Sequence, residues 1–198
     1  MAEESAARGE AAPVRRLRRA ERREQILDAA KRAFARTGFT DTSLDDVAAE
    51  AGVSRVILYR HFESKGGMYR AVLDRALERL VARVGEGEFT DASIPAFLSA
   101  AAEDPDGFRL VFHHAAREPE FRDLTDGLTA ASTELALRQL AEVVPDPAWA
   151  RWAAHLVFTV AVEGAAAWLD AGRPDPDSAA ERVSAAVHGV ISAARGSA

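Results

Sequence analysis

Residues 43–62 read SLDDVAAEAGVSRVILYRHF, two short segments hinged on one glycine. Ser43 and Asp46 have the spacing of a capping box, with Asp replacing the usual Glu or Gln, so a helix starts after Ser43. Leu44, Val47, Ala48 and Ala51 fall on one face at the helical period. Gly52 ends this helix and supplies the positive φ that a tight helix–helix turn needs. Ser54 then caps a second helix that runs to about Phe62. Ala48 is small enough to let the two helices approach, and Val53 and Leu58 can fill the gap between them. Such a pair leaves the outer face of its second helix free to enter a DNA major groove.

Working outward, the flanking sequence is helical throughout. A helix from about Ala20 to Arg36 carries Ile26, Leu27, Ala30 and Phe34 on one face and stops at Gly38. Another begins near Ser64 and reaches about Val84. Five more are expected at about 94–103, 105–117, 121–143, 147–171 and 176–194, with Pro105, Pro119, Pro145, Pro147, Gly172, Pro174 and Pro176 marking boundaries. Nothing alternates with the period of a strand. The fold class is therefore all-α: an N-terminal three-helix helix-turn-helix domain plus a C-terminal helical bundle. The expected division is an arginine-rich arm over 1–19, disordered by composition, a helix-turn-helix DNA-binding domain over 20–66, and a helical bundle over 67–198. Gly66-Gly67 costs roughly 1 kcal/mol per glycine in a helix, which predicts a pliable junction there.

The 198 residues suffice for a real core, and 48% hydrophobic with 28% charged is an ordinary globular balance. The net charge of −6 argues against a nucleic-acid partner only on average, because residues 8–36 hold ten basic side chains against four acidic ones. Phosphate affinity follows the local basic surface. Without cysteine there is no disulfide and no thiolate metal site. The N-terminus lacks an apolar secretory region, and Ala153–Leu169 falls short of the roughly 20 residues of a membrane span. A cytoplasmic protein without a membrane partner is expected.

Thr37-Gly38-Phe39, Thr42 to Ala48, Ala51 to Ser54, Leu58 to Phe62 and Ser64-Lys65 together resemble the N-terminal domain of tetracycline-repressor (TetR) family regulators over about residues 20–70. The resemblance implies a regulator that binds a double-stranded, palindromic DNA operator as a homodimer. It also implies phosphate contacts from Tyr59, His61 and Lys65. Thr42 and Ser43, at a helix N-terminus, are expected to bind phosphate as well. Ser54, Arg55 and Arg60 lie at or near the groove face, and Arg55 is the candidate for reading a guanine edge. Val56-Ile57 departs from the small or polar residues common in the family. These side chains can touch thymine methyl groups or pack inward. The run Arg15, Arg16, Arg18, Arg19, Arg22, Arg23 is either a phosphate-following arm or a solvated tail.

The resemblance also implies a ligand-binding and dimerisation domain over 67–198 that holds a small apolar or amphipathic effector. Phe97, Phe108, Phe112, Phe121, Trp152, Phe158 and Trp168 are candidates to line its pocket, although aromatics at helical spacing also make ordinary core. His113, His114, His155 and Glu163 are candidate polar anchors. Glu163 lies in an apolar segment and would need an arginine, a partner subunit or a ligand if buried. His113-His114 point to different sides of a helix and do not suit one metal ion. Arg117-Glu118-Pro119-Glu120-Phe121 reads as a solvated turn. The helix over Trp149–Leu169 and the last helix form the expected dimerising pair.

The mechanism implied by the resemblance is repression relieved by the effector, transmitted along the fourth helix. Open alternatives are a ligand-dependent activator and a ligand carrier or interaction protein with a degenerate helix-turn-helix. The sequence holds no Gly-rich phosphate loop, nucleophile elbow or HExxH, so neither an enzyme nor a cofactor or metal is expected.

Overall fold

The computed structural model describes residues 18–85 and 87–196. Residues 1–17 of the expected arginine arm, including Arg15 and Arg16, lie outside the described residues. Among those described there is no strand. The elements are α1 (Arg19–Asp41), α2 (Leu44–Ala51), α3 (Arg55–Tyr59), α4 (Lys65–Val84), α5 (Ser93–Glu103), α6 (Pro105–Arg109), α7 (Arg122–Leu140), α8 (Pro147–Asp170) and α9 (Pro176–Arg195). The all-α expectation holds.

Local chemistry accounts for the boundaries. Gly38 breaks α1 at φ 80°, ψ 175°, and one further turn follows before Thr42. Asp104, Asp146 and Asp175 cap α6, α8 and α9 through their carboxylates, each followed by proline at the first helical position. The expected helix over 105–117 is not uniform. It passes from α6 into a π-helical turn at Leu110–His114 and a 3-10 turn at Ala115–Arg117. The wider turn gives Leu110 and Val111 to one apolar cluster while Phe112 packs on two.

The first of those clusters does not respect a boundary at residue 66. It joins Ile26, Leu27 and Phe34 of α1 and Leu58 of α3 to Met68, Tyr69, Val72 and Leu73 of α4, and then to Leu110, Val111, Ala115 and Phe121. Ionic ties run alongside. Arg75 on α4 reaches Glu24 at 2.9 Å and Asp28 at 2.8 Å on α1. Lys31 on α1 meets Asp104, 2.6 Å away, in a partly buried pair. The helix-turn-helix head thus shares its core with the start of the bundle.

Tyr69 is 0% exposed, edge-on to Phe34 and Phe121 and tilted on Phe39, at centroid distances of 4.7–5.0 Å. Burial, reinforced by the Glu118 carboxylate, pushes its phenol well above the usual range. The hydroxyl has no hydrogen-bond partner among the described residues. A buried unsatisfied hydroxyl costs about 1–3 kcal/mol, so Tyr69→Phe should leave stability unchanged or raise it by about 1 kcal/mol. Urea unfolding reads this directly, and a loss above about 1 kcal/mol would mean that the hydroxyl has a partner.

The bundle has two further clusters. One lies among α5, α6, α8 and α9, around Phe97, Phe108, Trp168 and Val183. The other lies where α7, α8 and α9 meet, around Leu140, Val144, Ala153 and Ala154. By length and composition α8 does suffice to cross a bilayer, contrary to the sequence reading. Within the chain it packs against α5, α7 and α9.

Candidate functional site

The α2–α3 turn is built as its sequence dictates. Ser43 and Asp46 form both halves of the capping box, and Gly52 is left-handed at φ 63°, ψ 35°. The turn closes through Val53 N–H donating to the Ala48 carbonyl at 3.0 Å. Gln25 on α1 donates to the Ala51 carbonyl at 2.9 Å and fixes the pair against the head. Leu58 and Phe62 are buried beneath α3.

That burial fixes the rotation of α3. Ser54, Arg55, Val56, Tyr59 and Arg60 are all exposed, with Val56 at 63% and Tyr59 at 51%. Ile57 packs partly on the core beneath. The Val56-Ile57 pair is therefore split, one side chain presented outward and the other packed inward. Arg55 lies 3.1 Å from the Asp45 carboxylate and over the Tyr59 ring at 5.8 Å. Both partners of that ion pair are exposed, so the guanidinium remains accessible from solvent.

Beside this face, Arg19, Arg22, Arg60 and His61 line one shallow surface depression. Arg23 lies over the Phe62 ring at 5.0 Å. Burial, reinforced by the positive charges of Arg19, Arg23 and Arg22, holds the His61 imidazole below its usual range. The sequence reading missed the meeting of Arg19 and Arg22 with α3. The available signal was that Arg19, Arg22 and Arg23 share one helical face, the turn before Ile26 and Leu27 enter the core.

Three phosphate candidates are placed differently from expectation. Thr42 is 2% exposed, and its hydroxyl donates to the Gly38 carbonyl at 2.6 Å. It closes the break in α1 and does not reach the surface. Lys65 directs its ammonium to the carbonyls of Phe39, Thr40 and Thr42 at 2.8–3.1 Å, and over the Phe39 ring at 4.5 Å. It caps the C-terminal end of α1. Ser43 is exposed, but its amide and hydroxyl both donate to Asp46. Those hydrogen bonds hold the Asp46 carboxyl below the usual carboxylate range, so an anion already occupies the start of α2.

In the bundle, four of the expected pocket residues come together. Ring centroids are 5.5 Å apart for Phe97–Phe108, 5.9 Å for Phe97–Phe112, 4.7 Å for Phe108–Phe112 and 6.3 Å for Phe112–Phe158. A half-open cleft of about 430 Å³ adjoins them between α4, α5 and α6, with Phe108 and Phe112 in its wall. His113 sits on the π-helical turn, half-buried, with Nε2 enclosed and without a partner among the described residues. Trp168 is buried in the same cluster, its indole N–H donating to the Pro174 carbonyl at 2.9 Å.

Trp152 and Glu163 do not join this site. The buried residues of α8 are Ala150, Ala153, Ala154, Ala161, Val162, Ala165, Ala166, Trp168 and Leu169. That register turns Trp152, His155, Thr159 and Glu163 to the outside of the single chain, where all four are exposed. Trp152 stacks edge-on against Trp149 at 5.5 Å. Phe121 is not in the pocket either; it belongs to the core of the head.

Known proteins share both parts. The family described as Bacterial regulatory proteins, tetR family, matches residues 26–72. The HTH-type transcriptional activator FasR of Mycolicibacterium smegmatis is 34% identical over 177 residues, covering 84% of this chain and 81% of its own. The HTH-type transcriptional regulator TtgR of Pseudomonas putida is 43% identical over 70 residues, 34% of this chain and 33% of that protein. Among solved structures, a TetR-like transcriptional regulator from Rhodococcus sp. RHA1 superposes with a TM-score of 0.72 at 23% identity, over 87% of this chain and 96% of that one. A tetR-family transcriptional regulator from Streptomyces coelicolor superposes with a TM-score of 0.63 at 26% identity, over 88% and 80%.

Proposed function

This chain belongs to the tetR family of bacterial regulatory proteins and is a DNA-binding transcriptional regulator; from that premise we propose that it binds a palindromic operator as a homodimer under the control of a small effector. The observation that carries the reading is the outer face of α3. Ser54, Arg55, Val56, Tyr59 and Arg60 stand out together on it, bordered by the basic depression of Arg19, Arg22 and His61. Arg55 reads a guanine, Val56 meets a thymine methyl group, and the basic depression grips phosphate.

The two subunits join through the exposed faces of α8 and α9, with Glu163 turned toward the partner. The effector enters the cleft beside Phe108 and Phe112. Effector and operator each weaken the other's binding by the same factor, as linkage requires. The regulator acts in the cytoplasm, where its operator is, and represses by occupying it. Ligand-dependent activation is the second reading, favoured by the relative named as an activator, which matches over 81% of its length.

Selection of bound duplexes from a random DNA pool tests the whole reading. The expected result is a palindrome with half-site centres about one helical turn, or a multiple of it, apart. Arg55→Ala should relax the preference at one base pair per half-site and cost about 1–3 kcal/mol per contact. A pool without symmetry after selection would sink the dimeric reading.

His61 adds a pH dependence. In the free protein its pKa is held below the usual value by burial and the neighbouring arginines, and an operator phosphate raises it in the complex. Binding then takes up a proton. Affinity should rise as pH falls through the bound-state pKa, by up to about tenfold per unit for each subunit, and level off below the free-state pKa. In His61→Gln that slope should vanish; an unchanged slope would remove His61 from the phosphate contacts.

A further inference from the structure

The rim of the cleft between α4, α5 and α6 is charged, and its charges are unequally paired. Arg79, Arg83, Glu103 and Asp104 line it, above a floor of Leu80, Phe108 and Phe112. Arg83 pairs with Glu103, both side chains being half-exposed. Asp104 is occupied otherwise. Its Oδ1 accepts from Lys31 at 2.6 Å and from the Gly107 amide at 3.0 Å. Arg79 is left 53% exposed, with a single ion pair to Asp104 Oδ2 at 4.0 Å. Two cations and two carboxylates thus line the mouth of an aromatic-walled cleft, and Arg79 is the least closely paired of the four.

We propose that this cleft takes an amphipathic anion: a single apolar chain lies along Leu80, Phe108 and Phe112, and its carboxylate or phosphate head rests on Arg79 and Arg83. The inference rests on the effector-controlled reading above and names the chemical class of the effector. An arginine fork suits a planar or tetrahedral oxyanion, and the half-open mouth lets the head remain partly hydrated while the chain is buried. A cationic amphiphile is repelled by Arg79 and finds Glu103 and Asp104 already paired.

The position of Asp104 makes binding felt at the head. This one carboxylate caps α6, borders the cleft and holds Lys31 of α1. An anion drawn to Arg79 stands beside Asp104 and competes for the same cations, which loosens the tie from α6 to α1. The packing leaves α6 little room to adjust locally. A Cβ at Gly107 would stand 2.6 Å from Asp104 Oδ2 and 3.1 Å from Ala76 Cβ on α4.

Calorimetric titration of the full chain with four twelve-carbon probes below their micelle concentrations tests the proposal: dodecanoate, dodecyl phosphate, dodecanol and dodecyltrimethylammonium. Both anions should bind at least tenfold more tightly than the alcohol, and the cation more weakly than the alcohol. Arg79→Gln with Arg83→Gln should bring the anion-to-alcohol ratio below two, while Arg79→Lys, which keeps the charge, should retain most of it. In gel shifts on the selected duplex, dodecanoate should weaken operator binding by at least fivefold, and Lys31→Met should reduce that effect to less than twofold. A ratio near one in the unaltered protein, tighter binding of the cation, or a ratio untouched by the double substitution would overturn the proposal. Operator selection does not involve the cleft. A protein that selects a palindrome yet shows no anion preference loses only this inference; one that selects no DNA loses the functional reading itself.

Discussion

Phe121→Ala will destabilise the fold by about 3–5 kcal/mol, the usual cost of truncating a buried phenylalanine. The ring is 2% exposed and sits edge-on to Phe39 at 4.9 Å and to Tyr69 at 4.7 Å. A Cβ at Gly66 would stand 3.8 Å from it. The last turn of α1 and the first turn of α4 therefore close around this side chain, which is itself the residue that precedes α7. Neither can collapse into the vacancy without moving a neighbour, which places the expected cost high in the range. The ion pair next to it, Arg70 with Asp123 at 2.5 Å, is exposed on both sides, and pairs of that kind contribute about 0–1 kcal/mol. Asp123→Ala is accordingly a control for which the unfolding midpoint should barely move. Urea unfolding of the two variants separates the cases. A loss under about 1 kcal/mol for Phe121→Ala would show that the ring fills no essential space in the head.

Phe121 also marks where sequence reading loses its grip. Arg117-Glu118-Pro119-Glu120 has the composition of a solvated turn, and its charges are indeed on or near the surface. Whether the aromatic that follows faces water or another helix depends on a neighbour more than fifty residues away in sequence. Local signals were dependable where the physics is local. The Ser43–Asp46 box, the left-handed Gly52 and the proline-initiated helices α6, α8 and α9 were all legible, because caps and turns are decided within four residues. The orientation of α8 was not. A helix that is nearly apolar all round has no clear polar side, and only the register of its buried alanines turns Trp152 and Glu163 outward. Thr42 and Lys65 failed for another reason. Residue type indicated donors that could bind phosphate, but the broken end of α1 presents carbonyl groups that need those donors first.

Gly189→Arg should abolish dimerisation and, with it, tight operator binding. Glycine inside a helix costs about 1 kcal/mol relative to alanine, so a glycine well within α9 calls for a reason. Gly164 on α8 has one inside the chain: a Cβ there would stand 3.1 Å from Val183 on α9. At Gly189 a Cβ would meet nothing within 4 Å. Its exposed neighbours one turn away, Ala185, Ser192 and Ala193, are also small. A second copy of α8 and α9 packed closely against this face supplies the missing reason. Arginine at 189 leaves the single chain free of clashes and improves its helix propensity. In the dimer it sets an unpaired charge between two closely packed helices, at a cost of several kcal/mol per subunit. Sedimentation should show a dimer for the parent protein and a monomer for the variant. Operator affinity should fall by more than a hundredfold, because each half-site is held without the effective concentration that the second provides. Gly189→Ala, which adds one methyl group, should weaken the dimer by a smaller step. A dimer that survives Gly189→Arg with operator affinity within threefold of the parent would place the two-fold axis on some other face of the bundle.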